Sequence, residues 1–387
     1  MARDDQHVPC TAGPARCPTG RGHCVGRGFM SAVVPRLPDA VALCGHVTAV
    51  LESFLARKET AGAKVRMPAE VTQCLRDLAV GGKRLRPLLC VTGWQAADGR
   101  GIPEAVVRVA ASLEMFHTFC LIHDDVMDDS GSRRGAPTVH RRLALHHGQG
   151  RGALAAERVG ASCAILIGDL ALAWSGELLH AAGLTPRQLD AVLPLVDEMR
   201  SEVMYGQYLD VTAAGRPTTD VDQALRIARY KTAKYTVERP LHIGAALVGA
   251  PPAVYEALSA YALPVGEAFQ LRDDLLGVFG TPEVTGKPVL DDLREGKHTV
   301  LAALALQRAD RDQHRALHSL LGRPSLDEAE GAHLREILTA TGARHEVENM
   351  IRTLRARALR ALDTAPFPPT AIAHLRQLTG PALARTS

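Results

Sequence analysis

From Asp39 onward, apolar residues recur at helical spacing through VALCGHVTAVLESFLA, EVTQCLRDLA, EAVVRVAASLEMFHTFCLIHDD and ERVGASCAILIGDLALAWSGELLHAA. Each stretch predicts a long helix. The pattern breaks at Gly81-Gly82, Gly99 to Pro103, Gly131 to Pro137, Gly183 to Pro186, Gly215 to Pro217, Pro251-Pro252 and Gly280 to Pro288. These gaps are short enough to join packed antiparallel helices, and none reads as an interdomain linker. The expectation is an all-α, single-domain helical bundle over residues 36–387. Residues 1–35 are rich in Gly, Pro, Arg and Cys without periodicity and read as a disordered leader, with Met30 a candidate alternative start.

Composition supports the helical reading. Aromatic residues make up only 4% of the 387-residue chain, against an abundance of Ala and Leu. Forty-five basic against 42 acidic residues leave a formal charge of +3, too even a balance for a nucleic-acid or membrane-surface binder. Chemistry driven by charge must therefore be local. Five of the eight cysteines fall singly in apolar helical stretches, as reduced core residues of a cytoplasmic protein do. Cys10, Cys17 and Cys24 stand near His7 and His23 but match no zinc-ligand spacing. No secretory signal opens the chain, and Asp169 interrupts the longest apolar run, so no transmembrane segment is expected.

The charge that is concentrated sits in a few places. In LIHDDVMDDSGSRRG, Asp124, Asp125 and Asp128 end an apolar helix and Arg133 and Arg134 follow. Asp124 and Asp128 lie one turn apart on one face, close enough to hold the same cation. Carboxylates crowded at a helix C-terminus oppose the macrodipole unless cations offset them, and their hard oxygens suit Mg²⁺. A second pair, Asp273 and Asp274, sits on another apolar helix with Gln270 one turn earlier. Acidic segments of this kind can face each other across a bundle. Basic candidates are Lys83 and Arg86 in GGKRLRP, Lys231, Thr232 and Lys234 in YKTAKYTVERP, and Lys287 and Lys297 in TGKPVLDDLREGKHT. His117 lies on the face of Asp124, two turns below it.

In this order GGKRLRP, EMFH, LIHDDVMDDSGSRRG, AILIGDLAL, GQYLD, YKTAKYTVERP, FQLRDD and GKPVLDDLREGKHT resemble a trans-isoprenyl diphosphate synthase over about nine tenths of the chain. The resemblance implies the isoprenoid-synthase bundle with a central cavity, Mg²⁺ as cofactor, and a homodimer. Its substrates would be isopentenyl diphosphate and an allylic diphosphate (dimethylallyl, geranyl or farnesyl). By the same resemblance Asp124, Asp128 and Asp273 hold the metal, with Asp125 in the catalytic set. Lys83, Arg86, His117 and Arg134 hold isopentenyl diphosphate, and Arg133, Lys231, Thr232, Gln270, Lys287 and Lys297 surround the allylic substrate.

Two positions depart from the family pattern: Gly277 replaces the third acid of the second motif, and Leu290 replaces a glycine before Asp291. The first predicts weaker metal binding, the second an altered turn beside Lys287. Along the first acidic helix, Cys120 is small, while Phe116 lies about 12 Å below Asp124 and can floor a growing chain. In the family the position of Phe119 also limits length, although an ideal helix points it away from Asp124. The expected product is the C20 geranylgeranyl diphosphate, with C15 farnesyl diphosphate next. Competing readings are a non-catalytic regulatory subunit and a class I terpene cyclase, the latter lacking its Asn/Ser/Glu series after Arg272. An HD-type hydrolase on His123 and Asp124 leaves the basic motifs unexplained.

Overall fold

The computed structural model describes residues 40–79, 82–281 and 290–383, and many of its helices, though not the one that ends at Lys64 or the one that ends at His147, stop at the predicted glycine and proline breaks. The first four are α1 (Ala40–Lys64), α2 (Ala69–Ala79), α3 (Leu85–Ala96) and α4 (Glu104–Met127). A two-residue antiparallel hairpin, β1 (Ser132–Arg133) and β2 (Ala136–Pro137), leads to α5 (Val139–His147), α6 (Ala153–His180) and α7 (Pro186–Ala213). The start of α7 is written locally. Thr185 and Gln188 form a reciprocal capping box, and Pro186 supplies a preset φ at the first position.

Helix α4 is apolar on most sides and is buried accordingly. Val109, Ala110, Leu113, Met115, Phe116 and Ile122 pack among α1, α3 and α6. By length and composition α1, α4 and α6 are each long and apolar enough to cross a bilayer, which corrects the expectation that no such segment exists. An isolated acid such as Asp169 does not offset so many apolar neighbours. In α4 that apolar character serves the protein core, since 72% of its most apolar stretch is buried.

Helix α8 (Val221–Ile227) runs on into a π-helical segment (Ala228–Glu238) and then α9 (Arg239–Ala246). The Arg239 N–H accordingly donates to the Lys234 carbonyl five residues back. The segment is seated between α7 and α10 (Pro252–Phe279), and both neighbours carry a glycine where it touches them. A Cβ at Gly206 would stand 2.3 Å from the Lys231 nitrogen, and one at Gly266 2.4 Å from the Ala233 Cα. Any larger residue would push the π-helical segment away from the residues it presents.

Among the described residues six shorter helices follow: Asp291–Glu295, Val300–Arg308, Arg311–Leu320, Glu328–Ala340, Ala343–Asp363 and Pro369–Leu383. Leu271 and Leu275 of α10 pack with Leu301, Leu317, Leu334 and Val347 from them in a second core region. All the described helices belong to one unit. The predicted leader and its cysteines lie outside the described residues, and Cys44, Cys74, Cys90, Cys120 and Cys163 are free thiols, as expected.

Arg84 enters α3 in the left-handed region, with φ of 51°, although it is not glycine. A buried ion pair holds it there: Nη1 lies 2.9 Å from Glu114 Oε1, with both side chains at most 5% exposed. Glu114→Gln leaves a buried guanidinium without its counter-charge, which costs about 3–5 kcal/mol. A thermal melt of that variant should fall by several degrees, and an unchanged Tm would show that the pair does not hold this turn.

Candidate active site

The hairpin after α4 folds Arg133 back onto the acids that end the helix. Its Nε donates to both Asp125 oxygens at 2.8 Å, and its Nη2 reaches Asp124 Oδ2 at 3.3 Å. Asp125 is 1% exposed and turned to Arg133, whereas Asp124 and Asp128 stay partly exposed. The Arg133 guanidinium is thus shared between Asp125 and Asp124 in this structure.

Across from α4, the π-helical segment and α7 supply the partners of Asp124. Lys231 Nζ lies 3.0 Å from Asp124 Oδ1 and 2.6 Å from Asp210 Oδ2, and Gln207 Nε2 donates to Asp124 Oδ1 at 3.2 Å. Gln207 and Asp210 stand three residues apart on one face of α7. Sequence reasoning quoted their motif, GQYLD, but gave neither residue a role. Spacing relates residues within a helix, whereas their use depends on the contact with α4. Lys297 forms the second bridge, 3.2 Å from Asp128 Oδ2, 3.4 Å from Asp292 Oδ1 and 2.9 Å from Glu295 Oε2.

These bridges tie the end of α4 to α7 and to the Asp291–Glu295 helix. Asp292 also reaches α10, because a Cβ placed on Gly277 would sit 1.7 Å from its Oδ2. The carboxylate of Asp292 therefore stands where the third acid of the second motif would begin. Asp273 is exposed on the same helix, one turn earlier. Gln270 donates to Asp274 Oδ1 at 2.7 Å and accepts from the Thr232 hydroxyl at 2.5 Å, so its amide is committed at both ends.

Electrostatics record the crowding. Burial opposes charge on Asp124, but Lys231, Lys297 and Arg133 overcome it and hold the carboxyl well below its usual range. Asp128 moves up, through burial and the neighbouring Asp124 and Asp210, against the pull of Lys297. Burial, with Asp292, Asp273 and Asp210 nearby, pushes Asp274 up to about 8, and burial with Asp128 and Asp292 pushes Glu295 up to about 7. Lys231 and Lys297 are held charged despite burial, Lys231 first by Asp124 and Lys297 first by Asp292. Two ammonium groups thus stand among a surplus of carboxylates, and the buried Asp128 Oδ2 and Glu295 Oε2 share the single ammonium of Lys297. Such a donor set fits a hard divalent cation.

A second, cationic pocket lies alongside. Arg86 stacks over the Tyr235 ring at 4.2 Å and donates to Thr236 Oγ1 at 2.7 Å. Tyr235 also bonds His117 Nδ1 at 2.8 Å, which leaves Nε2 as the ring's other polar end. Arg134 donates to the Leu78 carbonyl and closes over Gly82, where a Cβ would lie 2.7 Å from its Nη2. His117 is kept neutral by burial and then by Arg86, Arg134 and Arg133, so three guanidinium groups act on one spot. Lys83 is exposed at the rim. Lys234 does not join either pocket, being paired with Glu202 and Glu238. Lys287 lies outside the described residues. A groove lined by His46, Glu104 and Arg108 lies at the other end of α4, roughly 30 Å along the axis from Asp124, and contains none of these groups.

With this geometry in view, comparison with known proteins is decisive. The polyprenyl synthetase family pattern matches residues 68–338. The chain belongs to the polyprenyl synthetase family. It is 33% identical over 292 residues to the geranylfarnesyl diphosphate synthase of Aeropyrum pernix, covering 76% of this chain and 86% of that one. It is 33% identical over 244 residues to the geranylgeranyl diphosphate synthase of Saccharolobus solfataricus, covering 62% and 68%. A crystal structure of geranylgeranyl pyrophosphate synthase from Corynebacterium glutamicum, complexed with isoprenyl diphosphate and magnesium, superposes with a TM-score of 0.85. That structure is 40% identical and covers 90% of this chain and all (100%) of its own.

Both departures of this polyprenyl synthetase from the family pattern have a local account. Leu290 takes an ordinary right-handed backbone, with φ of −93°, and packs its side chain against Gly331, while the turn beside Lys287 lies outside the described residues. At position 277 the glycine makes room for Asp292. Gly277→Asp, which restores the family acid, should therefore not raise activity. The new carboxylate displaces that of Asp292, and an unchanged or several-fold lower kcat is expected in a steady-state assay. A clear gain in metal affinity or rate would show that Asp292 does not fill the gap.

Proposed function

We propose that this polyprenyl synthetase joins isopentenyl diphosphate to allylic diphosphates in a Mg²⁺-dependent head-to-tail condensation that stops at the C20 geranylgeranyl diphosphate. The observation that carries the reading is the pairing of two unlike pockets. One is carboxylate-lined and bridged by Lys231 and Lys297, and the other is built from Arg86, His117 and Arg134.

Asp124, Asp128, Asp273 and Asp292 are the residues that would hold Mg²⁺, which when bound neutralises charge on the leaving diphosphate. Lys231 and Lys297 change partners from carboxylates to diphosphate oxygens and donate hydrogen bonds to them. Arg133 stays on Asp125 and keeps the end of α4 closed. The allylic C–O bond breaks with its electron pair leaving on the diphosphate. The Thr232 hydroxyl, its hydrogen engaged by Gln270, has lone pairs left to face the allylic cation. In the other pocket Arg86, Arg134, Lys83 and His117 hold the second diphosphate intact and set its double bond at reactive distance. The π electrons form the new C–C bond, and the departing diphosphate takes the proton that is lost.

Cys120, His117 and Phe116 lie one to two turns below Asp124 and all meet Tyr235, so the growing chain runs down this face. Phe119 stacks between Phe116 and His123, at 5.4 and 4.6 Å between centroids, whereas Phe116 meets Tyr235, which is why Phe116 is the floor in this reading. A homodimer fits the exposed apolar residues Met204, Tyr205, Tyr208 and Val211 on α7 and Ile165 and Leu166 on α6.

The test is to incubate purified protein with Mg²⁺, isopentenyl diphosphate and each of the C5, C10 and C15 allylic primers, and to identify the products. A C20 diphosphate is expected. A hydrocarbon would indicate a cyclase, and no turnover with any primer would indicate a regulatory subunit.

A further inference from the structure

Away from both pockets, helix α5 ends on two adjacent histidines. Neighbouring residues on a helix diverge by about 100°, yet His146 and His147 turn their rings onto the same carboxylate. His147 Nε2 lies 2.8 Å from Glu70 Oε1, and His146 Nε2 lies 3.2 Å from Glu70 Oε2. The imidazole centroids are 4.7 Å apart with planes at 76°, so the two Nε2 atoms converge on one point. All three ligand atoms lie within 4.8 Å of one another.

Two imidazoles and one carboxylate form a donor set of mixed nitrogen and oxygen. It suits a borderline divalent cation such as Zn²⁺ and suits Mg²⁺, which takes oxygen, poorly. His146 is 66% exposed and Glu70 29%, which leaves room for a solvent ligand in the fourth tetrahedral position. We infer that Glu70, His146 and His147 form a Zn²⁺-class metal site that staples the start of α2 to the end of α5. In the metal-free geometry each Nε2 donates a hydrogen toward Glu70. On binding, both rings carry their remaining proton on Nδ1 and turn the Nε2 lone pair to the metal.

The position gives the staple a consequence. The C-terminal end of α2 supplies the Leu78 carbonyl that holds Arg134, and its continuation carries Lys83 and Arg86. The hairpin that carries Arg133 and Arg134 leads directly into α5. Asp77 and Arg142, paired at 2.6 Å, already tie the same two helices once. A metal at Glu70 would tie them a second time and steady the frame of the cationic pocket without touching it.

The experiment uses the full chain, stripped with a chelator and titrated with Zn²⁺ in saturating Mg²⁺, reading stoichiometry by calorimetry and stability by thermal melt. Co²⁺ in place of Zn²⁺ adds a visible tetrahedral spectrum. The wild type should take up Zn²⁺ with a rise in Tm of several degrees. His147→Ala, Glu70→Gln and the more exposed His146→Ala should each lose one equivalent, or weaken it by more than about 100-fold, since even outer-shell changes cost about 10–100-fold. Circular dichroism and unchanged metal-free Tm establish that these variants fold. Equal stoichiometry and Tm response in wild type and all three variants would overturn the site. So would loss of the same equivalent in Asp124→Asn or in a triple serine variant of Cys10, Cys17 and Cys24.

Discussion

Asp124→Asn should abolish condensation, with kcat reduced by about 10³-fold or more while the protein remains folded. This carboxylate is the meeting point of the site: Lys231, Gln207 and Arg133 all reach it from different elements, at 3.0, 3.2 and 3.3 Å. Its amide keeps the shape but gives up the charge that a divalent cation requires, and removing a single preorganised charge interaction from a transition state commonly costs about 10²–10³-fold. Loss of a metal ligand adds to that. Lys231 keeps Asp210 as a partner, so no buried cation is stranded and the fold should survive. Steady-state kinetics across a Mg²⁺ series separates the outcomes. A variant restored to full kcat by excess Mg²⁺ would make Asp124 an affinity determinant only, and one with wild-type kinetics throughout would remove it from the site.

Phe116→Ala should shift the product from C20 to longer chains, detected by mass analysis of the dephosphorylated alcohols. The ring is buried at 2% exposure and packs edge-on to Tyr235 at 5.8 Å between centroids. Removing it opens a cavity below Cys120 and costs about 3–5 kcal/mol of stability, so assays belong well below the lowered Tm. Phe119→Ala removes a ring of equal size that faces His123, 4.6 Å away between centroids, and should change product length much less. The reverse ranking, with Phe119→Ala lengthening the product and Phe116→Ala leaving it at C20, would place the floor at Phe119.

Much of this site was legible because its chemistry is local. Asp124 and Asp128 one turn apart, or Lys83 and Arg86 before a proline-started helix, are relations within a few residues, and helical periodicity places them on a face. Gln207, Asp210 and Tyr235 were not read as functional for the opposite reason. Each matters through a partner on another element: Asp124, 83 positions from Gln207, Lys231, 21 positions from Asp210, and His117, 118 positions from Tyr235. Lys234 stands on the same segment as Lys231, yet it turns to Glu202 while Lys231 reaches Asp124. That sorting is made by the π-helical turn, whose five-residue hydrogen bonds leave no mark in the apolar pattern.

The sequence by itself determined that the chain would be helical, where many helices would stop, and that two acidic helix segments and a basic turn concentrate its charge. These follow from hydrogen bonding and periodicity along one strand of backbone. Only the tertiary structure decided which charges meet. It brought Arg133 to Asp125 and Lys231 to Asp124, set Asp292 into the space of the missing acid at Gly277, and turned two histidines onto Glu70. Coulomb interactions fall steeply with distance and rise with burial, so their outcome waits on packing between helices far apart in the chain.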